Sequence, residues 1–311
     1  MYKYVIKRIL LLIPVLLGVV FIVFFIMNLT PGDPGRLILG ESAKQEDVDR
    51  LNDRLGFNKP YFVRFFNYIK DIVTKFDFGL SYATQKPVVD QILIKFPYTL
   101  KMAIASVFLS TIFGVTLGVT AAVKQYTAID SSITVLAMVF TVMPAYWTGM
   151  LMILLFSIKL GWLPASGASS LKHYILPVLT IAITAMGSMM RLTRSVMLEA
   201  IRQDYVRTAR AKGAPERRVV YGHALKNALL PLITSVGSMF GGMMGGAVLS
   251  ETVFNIPGIG SYIVSSIRSK DIPAVMTCTL FFATLFSLIM LCVDLLYAFV
   301  DPRIKAKYVN S

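Results

Sequence analysis

The sequence predicts an all-α, polytopic membrane protein with six membrane-crossing helices. Only 15% of its 311 residues are charged and 56% are hydrophobic, whereas soluble domains carry roughly 25% charged residues. The apolar residues are gathered into uncharged runs of about 18 or more, enough to cross roughly 30 Å of hydrocarbon at 1.5 Å per residue. Backbone groups in lipid must bond internally, which only helices and closed barrels achieve, and runs this continuous are helices.

Taken in order, the predicted spans are Ile9–Leu29, Met102–Val123, Ile133–Ile158, Tyr174–Met190, Leu229–Leu249 and Ala274–Val300. The first follows Lys3, Lys7 and Arg8. Its apolar part is longer than a signal-peptide core and no A-x-A-like site follows, so it reads as a retained span after a cytoplasmic N-terminus, 1–8. Residues 30–101 form an extracytoplasmic segment too long for a bare loop. Helical spacing over Asp47–Leu55 and Tyr61–Ile72, after the turn signal Thr30-Pro31-Gly32-Asp33-Pro34, predicts a small helical cap. That cap is either a spacer or a docking or lid surface. Residues 102–300 form a five-helix core with a cytoplasmic coupling segment at 191–228, and 301–311 is a tail.

Orientation follows from charge. Nine Lys/Arg between Arg191 and Lys226, the basic N-terminus, and Arg303, Lys305 and Lys307 all fall on one side if there are six spans. The positive-inside rule makes that side cytoplasmic, with both termini there. The eleven basic residues of 30–101 are offset by nine acids, and long translocated segments escape the rule. A net charge of +14 also suits a nucleic-acid binder. No aromatic-and-basic stacking platform accompanies it, so composition points to the membrane and away from nucleic acid.

Inside the spans, few residues invite chemistry. Cys278 and Cys292 are fourteen residues apart in one run, about 21 Å along a helix and far beyond disulfide reach. Pro144 interrupts the third span, and a packing kink is favoured over a bend beside a pathway. Asp294, the one acid within a predicted span, is assigned a structural role near the helix end, reaching the interface or an arginine such as Arg303. The fifth span carries Gly237, Gly241, Gly242, Gly245 and Gly246 in overlapping G-x-x-x-G pairs, which suit close helix contact in lipid. Two roles fit Glu251: capping a short outer helix near Pro257–Ser266, or lining an outer gate.

The segment from Arg191 to Lys226 is the most informative. Met197, Ile201, Tyr205 and Ala209 recur at i+4, predicting an amphipathic helix of three or more turns. Gly213 ends it in left-handed geometry and Pro215 prevents continuation. Its apolar stripe must be covered, either by the membrane surface or by a partner protein.

Gln203-Asp204-Tyr205-Val206-Arg207-Thr208-Ala209-Arg210-Ala211-Lys212-Gly213 closely resembles the coupling loop of ABC importer permeases, and more narrowly that of the dipeptide, oligopeptide and nickel permease family. Ala209 and Gly213 match the broad E-A-A-x-x-x-G pattern, while the acid and first alanine do not, and Leu230-Pro231 comes later than usual; both departures resemble the peptide-family version. The likeness extends along the chain through Leu55-Gly56, Phe78-Gly79, Pro97-Tyr98-Thr99-Leu100, Leu163-Pro164-Ala165-Ser166-Gly167, Glu251-Thr252-Val253-Phe254, Pro257-Gly258-Ile259-Gly260 and Asp301-Pro302-Arg303.

The resemblance implies a type I ABC importer permease core in a bacterial cytoplasmic membrane. Such a chain forms half of a translocation pathway with a second, homologous permease. It implies two separate ATP-binding subunits using ATP and Mg, and an extracytoplasmic binding protein delivering di- or oligopeptides, with nickel or another small solute as the alternative cargo. Tyr205, Arg207, Ala209, Arg210 and Gly213 would then meet the ATPase, and Gly241, Gly242, Gly245 and Glu251 would line the pathway. The sequence lacks G-x-x-x-x-G-K-[ST], the loop that cradles nucleotide phosphates. An intramembrane enzyme is disfavoured, because His173 and His223 fall on opposite sides of the membrane and no H-E-x-x-H or aspartate pair is present. A passive channel would need a selectivity ring, and none is visible.

Overall fold

The computed structural model describes residues 2–29 and 33–300, and the side chains of all these except 2–4, 244–246 and 297–300. Thr30, Pro31 and Gly32 of the turn cluster, and the tail with Arg303, Lys305 and Lys307, lie outside the described residues. Within them the chain is a succession of helices. α1 (Tyr2–Leu29) leads to three outer helices, α2 (Pro34–Leu39), α3 (Gln45–Arg54) and α4 (Tyr61–Lys75). The core follows as α5 (Val88–Val123), α6 (Ala128–Val142), α7 (Ala145–Met152), α8 (Lys172–Ile201), α9 (Asp204–Ala211), α10 (Glu216–Arg218), α11 (Leu225–Val253), α12 (Ile259–Arg268) and α13 (Ile272–Val300). Two π-helical stretches, Ile153–Lys159 and Val219–Ala224, extend α7 and lead into α11.

Four helices are long and apolar enough to cross a membrane alone: Val5–Leu29 of α1, α5, α8 and Ile272–Leu296 of α13. Two bent pairs, α6 with α7 and Glu216–Met243 with Ala247–Val253, bring the count to six if each pair is one crossing. Six crossings place the described ends of α1 and α13 on the same face as α9.

Three boundaries differ from the hydropathy reading. α5 begins at Val88 instead of Met102, because the polar residues Asp90, Gln91 and Lys95 do not stop a helix that projects beyond the hydrocarbon. The short fourth span is the middle of a 30-residue helix, α8, about 45 Å long. The third span does not kink at Pro144 but breaks there, with a 100° turn between α6 and α7. Proline lacks the N–H the ladder needs and forces the preceding residue out of the helical region. Met143 is accordingly extended, at φ −66 and ψ 121.

α8 is the spine of the core. α5 runs parallel to it, with Gly114 and Gly118 at the crossing. A Cβ at Gly118 would lie 2.5 Å from Thr193 Cβ and 2.7 Å from the Met190 carbonyl, and one at Gly114 would lie 2.7 Å from Met189. α6 runs antiparallel on another side, and a Cβ at Gly187 would meet the Ala137 carbonyl at 2.6 Å. Ser106 donates to the Val178 carbonyl at 3.2 Å across the α5–α8 contact. Met102, Val107, Leu176, Ile181, Met243 and Phe254 fill the core above these crossings.

The outer helices are built on α1 and α13. Tyr61 and Phe65 of α4 stack against Phe24 at 4.8 and 5.5 Å, and the Tyr68 hydroxyl lies 3.3 Å from Thr277 Oγ1. Asn52 of α3 donates to the Asp33 carboxylate at 2.6 Å and accepts from the Gly35 N–H at 2.9 Å, pinning α2 to α3. Asp294 pairs with Arg8 of α1 at 2.9 Å; the partner anticipated for it, Arg303, lies outside the described residues. The pair ties α13 to α1 near the face that carries α9.

Gly118→Leu is expected to push α5 off α8 and lower the thermal-unfolding midpoint of the detergent-solubilised protein, by the roughly 1–3 kcal/mol typical of overpacking. Gly18→Ala in α1, where an added Cβ meets nothing within 4 Å, leaves the midpoint unchanged. Equal midpoints for both variants would contradict the close crossing.

Candidate coupling site

The predicted amphipathic helix is two helices. α8 ends at Ile201 and α9 restarts at Asp204, so Met197 and Ile201 belong to the spine while Tyr205 and Ala209 belong to a separate two-turn helix. The corner between them is extended at Gln203, with φ −72 and ψ 151.

α9 buries one edge. Val206 is fully buried and Ala209 is 9% exposed. They pack with Met197 and Ala200 of α8, Val119 and Ala122 of α5, and Val219, Val220 and Ala224 of the π-helical stretch. Apart from Tyr205, the apolar stripe is thus covered by the chain itself. Tyr205, Arg207, Thr208, Ala211 and Lys212 face outward, and Tyr205 is 39% exposed.

The end of α9 is fixed twice. Gly213 takes φ +78; its N–H donates to the Arg210 carbonyl at 2.9 Å, and the Ala214 N–H donates to the Ala209 carbonyl at 3.2 Å. This pairing closes a helix on a left-handed residue. Arg210 then reaches across the turn to Glu216, Nη2 to Oε1 at 2.6 Å and Nε to Oε2 at 3.1 Å. The hydrogen bond to Glu216 raises the Arg210 pKa further above its usual value. Arg207 faces Asp204 at 3.8 Å in an exposed i,i+3 pair that adds little. The unit is small, basic and rigid, and it caps the ends of α5 and α8.

At the opposite end, Glu251 is fully buried. Its carboxylate accepts from Thr99 Oγ1 at 2.6 Å and from the Ser261 N–H at 2.9 Å. Thr99 in turn accepts from the Ile259 N–H at 2.9 Å. Of its two expected roles, Glu251 therefore performs the capping one, at the N-terminus of α12. The Gly258 and Gly260 of Pro257-Gly258-Ile259-Gly260 are required by this carboxylate, because added Cβ atoms would meet it at 2.3 and 2.9 Å. Gly167 of the α7–α8 connection donates its N–H to the Phe254 carbonyl at 2.9 Å, tying that loop to the same corner.

Two family profiles together match nearly the whole sequence: "Binding-protein-dependent transport system inner membrane component" over residues 114–306, and its N-terminal companion, "Binding-prot-dependent transport system membrane comp, N-term", over residues 1–103. The chain belongs to this family of transport permeases. It is 40% identical to the dipeptide transport system permease protein DppB of Alkalihalophilus pseudofirmus, with 98% of this chain and 100% of that protein aligned. It is 42% identical to the glutathione transport system permease protein GsiC of Escherichia coli strain K12, over 99% and 100%. Among solved structures, an inward-facing MetNI methionine ABC transporter aligns with TM-score 0.57 at 18% identity, covering 68% of this chain and 97% of that one. An amino acid ABC transporter aligns with TM-score 0.52 at 12% identity, covering 68% and 94%. These two show the fold, a type I ABC importer permease core. The protein is a multi-pass inner-membrane permease subunit of an ABC importer, part of a translocation pathway.

In the permease the other predicted pathway residues part company. Gly237 and Gly241 are filled by α13: added Cβ atoms would lie 2.1 Å from Val293 Cγ2 and 2.5 Å from Phe286. The close-contact role assigned to these glycines holds, and Gly241 has no free face toward a cargo. Gly242 is exposed, with nothing within 4 Å of an added Cβ. Gly245 lies outside the residues whose side-chain surroundings are described. Ala209, one of the five residues predicted for coupling, is likewise turned into the permease's own core and supports the surface of α9 from behind.

Sequence reasoning missed one pair. Arg194 of α8 forms two hydrogen bonds to Asp130 of α6, Nε to Oδ1 at 2.6 Å and Nη2 to Oδ2 at 2.8 Å. Asp130 had been placed before the third span, and a contact between residues 64 apart leaves no local signature. The one hint is an isolated acid three residues after Thr127, the position where a helix starts.

Two outcomes follow. Gly213→Val puts a β-branched residue at φ +78 and is expected to cut ATP-driven uptake severely while the permease stays in the membrane; Gly213→Asn, tolerant of left-handed geometry, retains most uptake. Equal uptake by both would show that the cap geometry is immaterial. Glu251→Leu removes the acceptor of the α12 N-terminus and costs about 1–3 kcal/mol, read as a lower unfolding midpoint, and Gly258→Ala is expected to lower it similarly.

Proposed function

We propose that the chain forms one half of the translocation pathway of an importer for di- and oligopeptides, paired with a second homologous permease. Two separate ATP-binding subunits, carrying ATP and Mg, drive it, and an external binding protein delivers the cargo. The single observation that carries the mechanical part is α9: a rigid basic helix projecting from the ends of α5 and α8, its apolar edge already covered by the chain's own core. A helix that floated on lipid would need a free apolar face. The apolar groups α9 offers the bilayer are only Tyr205 and the small Ala211, whereas the Tyr205, Arg207 and Lys212 surface suits a groove on a soluble subunit. Gly213 and the Arg210–Glu216 pair keep that surface in one geometry, so closure of an ATPase dimer moves it as a body.

The peptide cargo is supported by the two full-length relatives, whose names record dipeptide and glutathione transport. Both termini and α9 belong on the cytoplasmic face by the basic residues gathered there.

Uptake of labelled dipeptides, oligopeptides, glutathione and nickel by cells with and without this chain is the test. ATP-dependent loss of peptide uptake on deletion is expected; loss of nickel uptake alone overturns the cargo assignment. Crosslinks from cysteines at Tyr205 or Arg207 to a nucleotide-hydrolysing subunit are expected in the purified complex, and their absence overturns the lever.

A further inference from the structure

We infer that Asp130 and Arg194 are positioning residues of the transport cycle, locking α6 to α8 so that displacement of α9 moves the two helices together. The inference rests on the reading of α9 as the ATPase contact.

Three features carry it. First, the pair is bidentate and the Asp130 side chain is 6% exposed. Its carboxylate also accepts from the Tyr126 N–H at 3.1 Å and the Thr134 hydroxyl at 3.4 Å, so one group joins the α5–α6 connection, α6 and α8. A planar guanidinium on a carboxylate fixes orientation as well as distance. Second, the pair sits two turns before the end of α8, and the same stretch of α8 packs on α9 through Met197 and Ala200. Third, a cavity of about 640 Å³ lies beside it, lined by Ile133, Thr134, Arg191, Ser195, Leu198 and Arg202 among others. Rolling of α6 over α8 toward that space is opposed at the α9 end by the ion pair and further along by the approach of Ala137, Phe140 and Thr141 to Gly187.

Beyond these contacts α6 runs to Val142 and breaks. α7 packs on both α8 and α11: an added Cβ at Gly149 would touch Thr180 of α8 at 3.4 Å, and Phe254 at 3.2 Å and Val253 at 3.4 Å at the outer end of α11. If α6 slips on α8, a displacement of α9 moves α8 without it. A buried ion pair retained for register instead of stability is a recognised use of such groups.

The test uses the complete importer in proteoliposomes, with ATP hydrolysis and uptake of a labelled dipeptide carried by the wild type measured together. The double variant Asp130→Leu/Arg194→Met leaves no orphan charge. It is expected to assemble and hydrolyse ATP normally while uptake per ATP falls about fivefold or more. Arg194→Lys, which keeps the charge but gives up the second bond, is expected to fall in between. A wild-type ratio in an assembled double variant overturns the inference, since a merely structural role changes assembly and melting and leaves that ratio alone. Where the double variant fails to assemble, the Arg194→Lys ratio decides by the same criterion. Failure of the wild-type chain to co-purify with an ATP-hydrolysing subunit would strike the reading of α9 instead, so the two failures are distinguishable.

Discussion

The architecture depends on how closely α5 and α6 approach α8. Between helices in lipid there is little hydrophobic drive, because the surrounding tails are as apolar as the side chains, and association falls to van der Waals fit. Glycine at the crossings allows backbones to meet and multiplies those contacts. Gly114 and Gly118 admit α8 to α5, and Gly187 admits α6 to α8. Everything attached to α8 inherits this stiffness: the α9 unit at one end, and the Asp130–Arg194 contact beside it.

α9 shows how a short helix is made stable at a membrane boundary. Eight residues are too few to hold a helix unaided. Here Val206 and Ala209 are buried against the ends of α5 and α8, the left-handed Gly213 satisfies the last carbonyls, and Arg210 ties the turn to Glu216. The polar face is left free because none of these supports uses it. The outer end has the opposite design. Glu251 is enclosed, and its carboxylate gathers α5, α11 and α12 through Thr99 and Ser261.

The sequence displayed what is local and periodic. Six apolar stretches, the helical spacing of α3 and α4, and the left-handed stop at Gly213 could all be read because each depends on neighbours a few residues away. The i+4 stripe from Met197 to Ala209 was genuinely present, yet periodicity is blind to a corner of two residues, so one apparent helix proved to be the tail of α8 plus α9. The difference matters for function, since it turns Ala209 inward. Pro144 was legible as an interruption but not as a 100° break, because the angle depends on what α7 packs against. Contacts that join distant segments left no trace: Asp130 with Arg194, Arg8 with Asp294, and Glu251 with Thr99. Gly237 and Gly241 of α11 were correctly typed as contact residues. Which face met α13 could not be known without knowing where α13 lay.

Stiffness at both ends leaves the middle as the place where shape can change. Val142, the last residue of α6, is 80% exposed. Tyr146 and Trp147 beyond the break are exposed as well, and Gly242 has open space where its neighbours Gly237 and Gly241 have α13. A soluble protein does not tolerate such a group of exposed apolar side chains around a broken helix, and a bilayer removes that objection without explaining the break. A broken helix in a membrane leaves backbone groups unpaired unless protein or water covers them. The Pro144 carbonyl is served from within, by Thr148 through its N–H at 3.0 Å and its hydroxyl at 3.2 Å. α6 lies on α8, and α7 lies against both α8 and α11. A joint whose hydrogen bonds are made within its own arms can change its angle without exposing new polar groups to lipid, which is the property a moving element in a membrane requires.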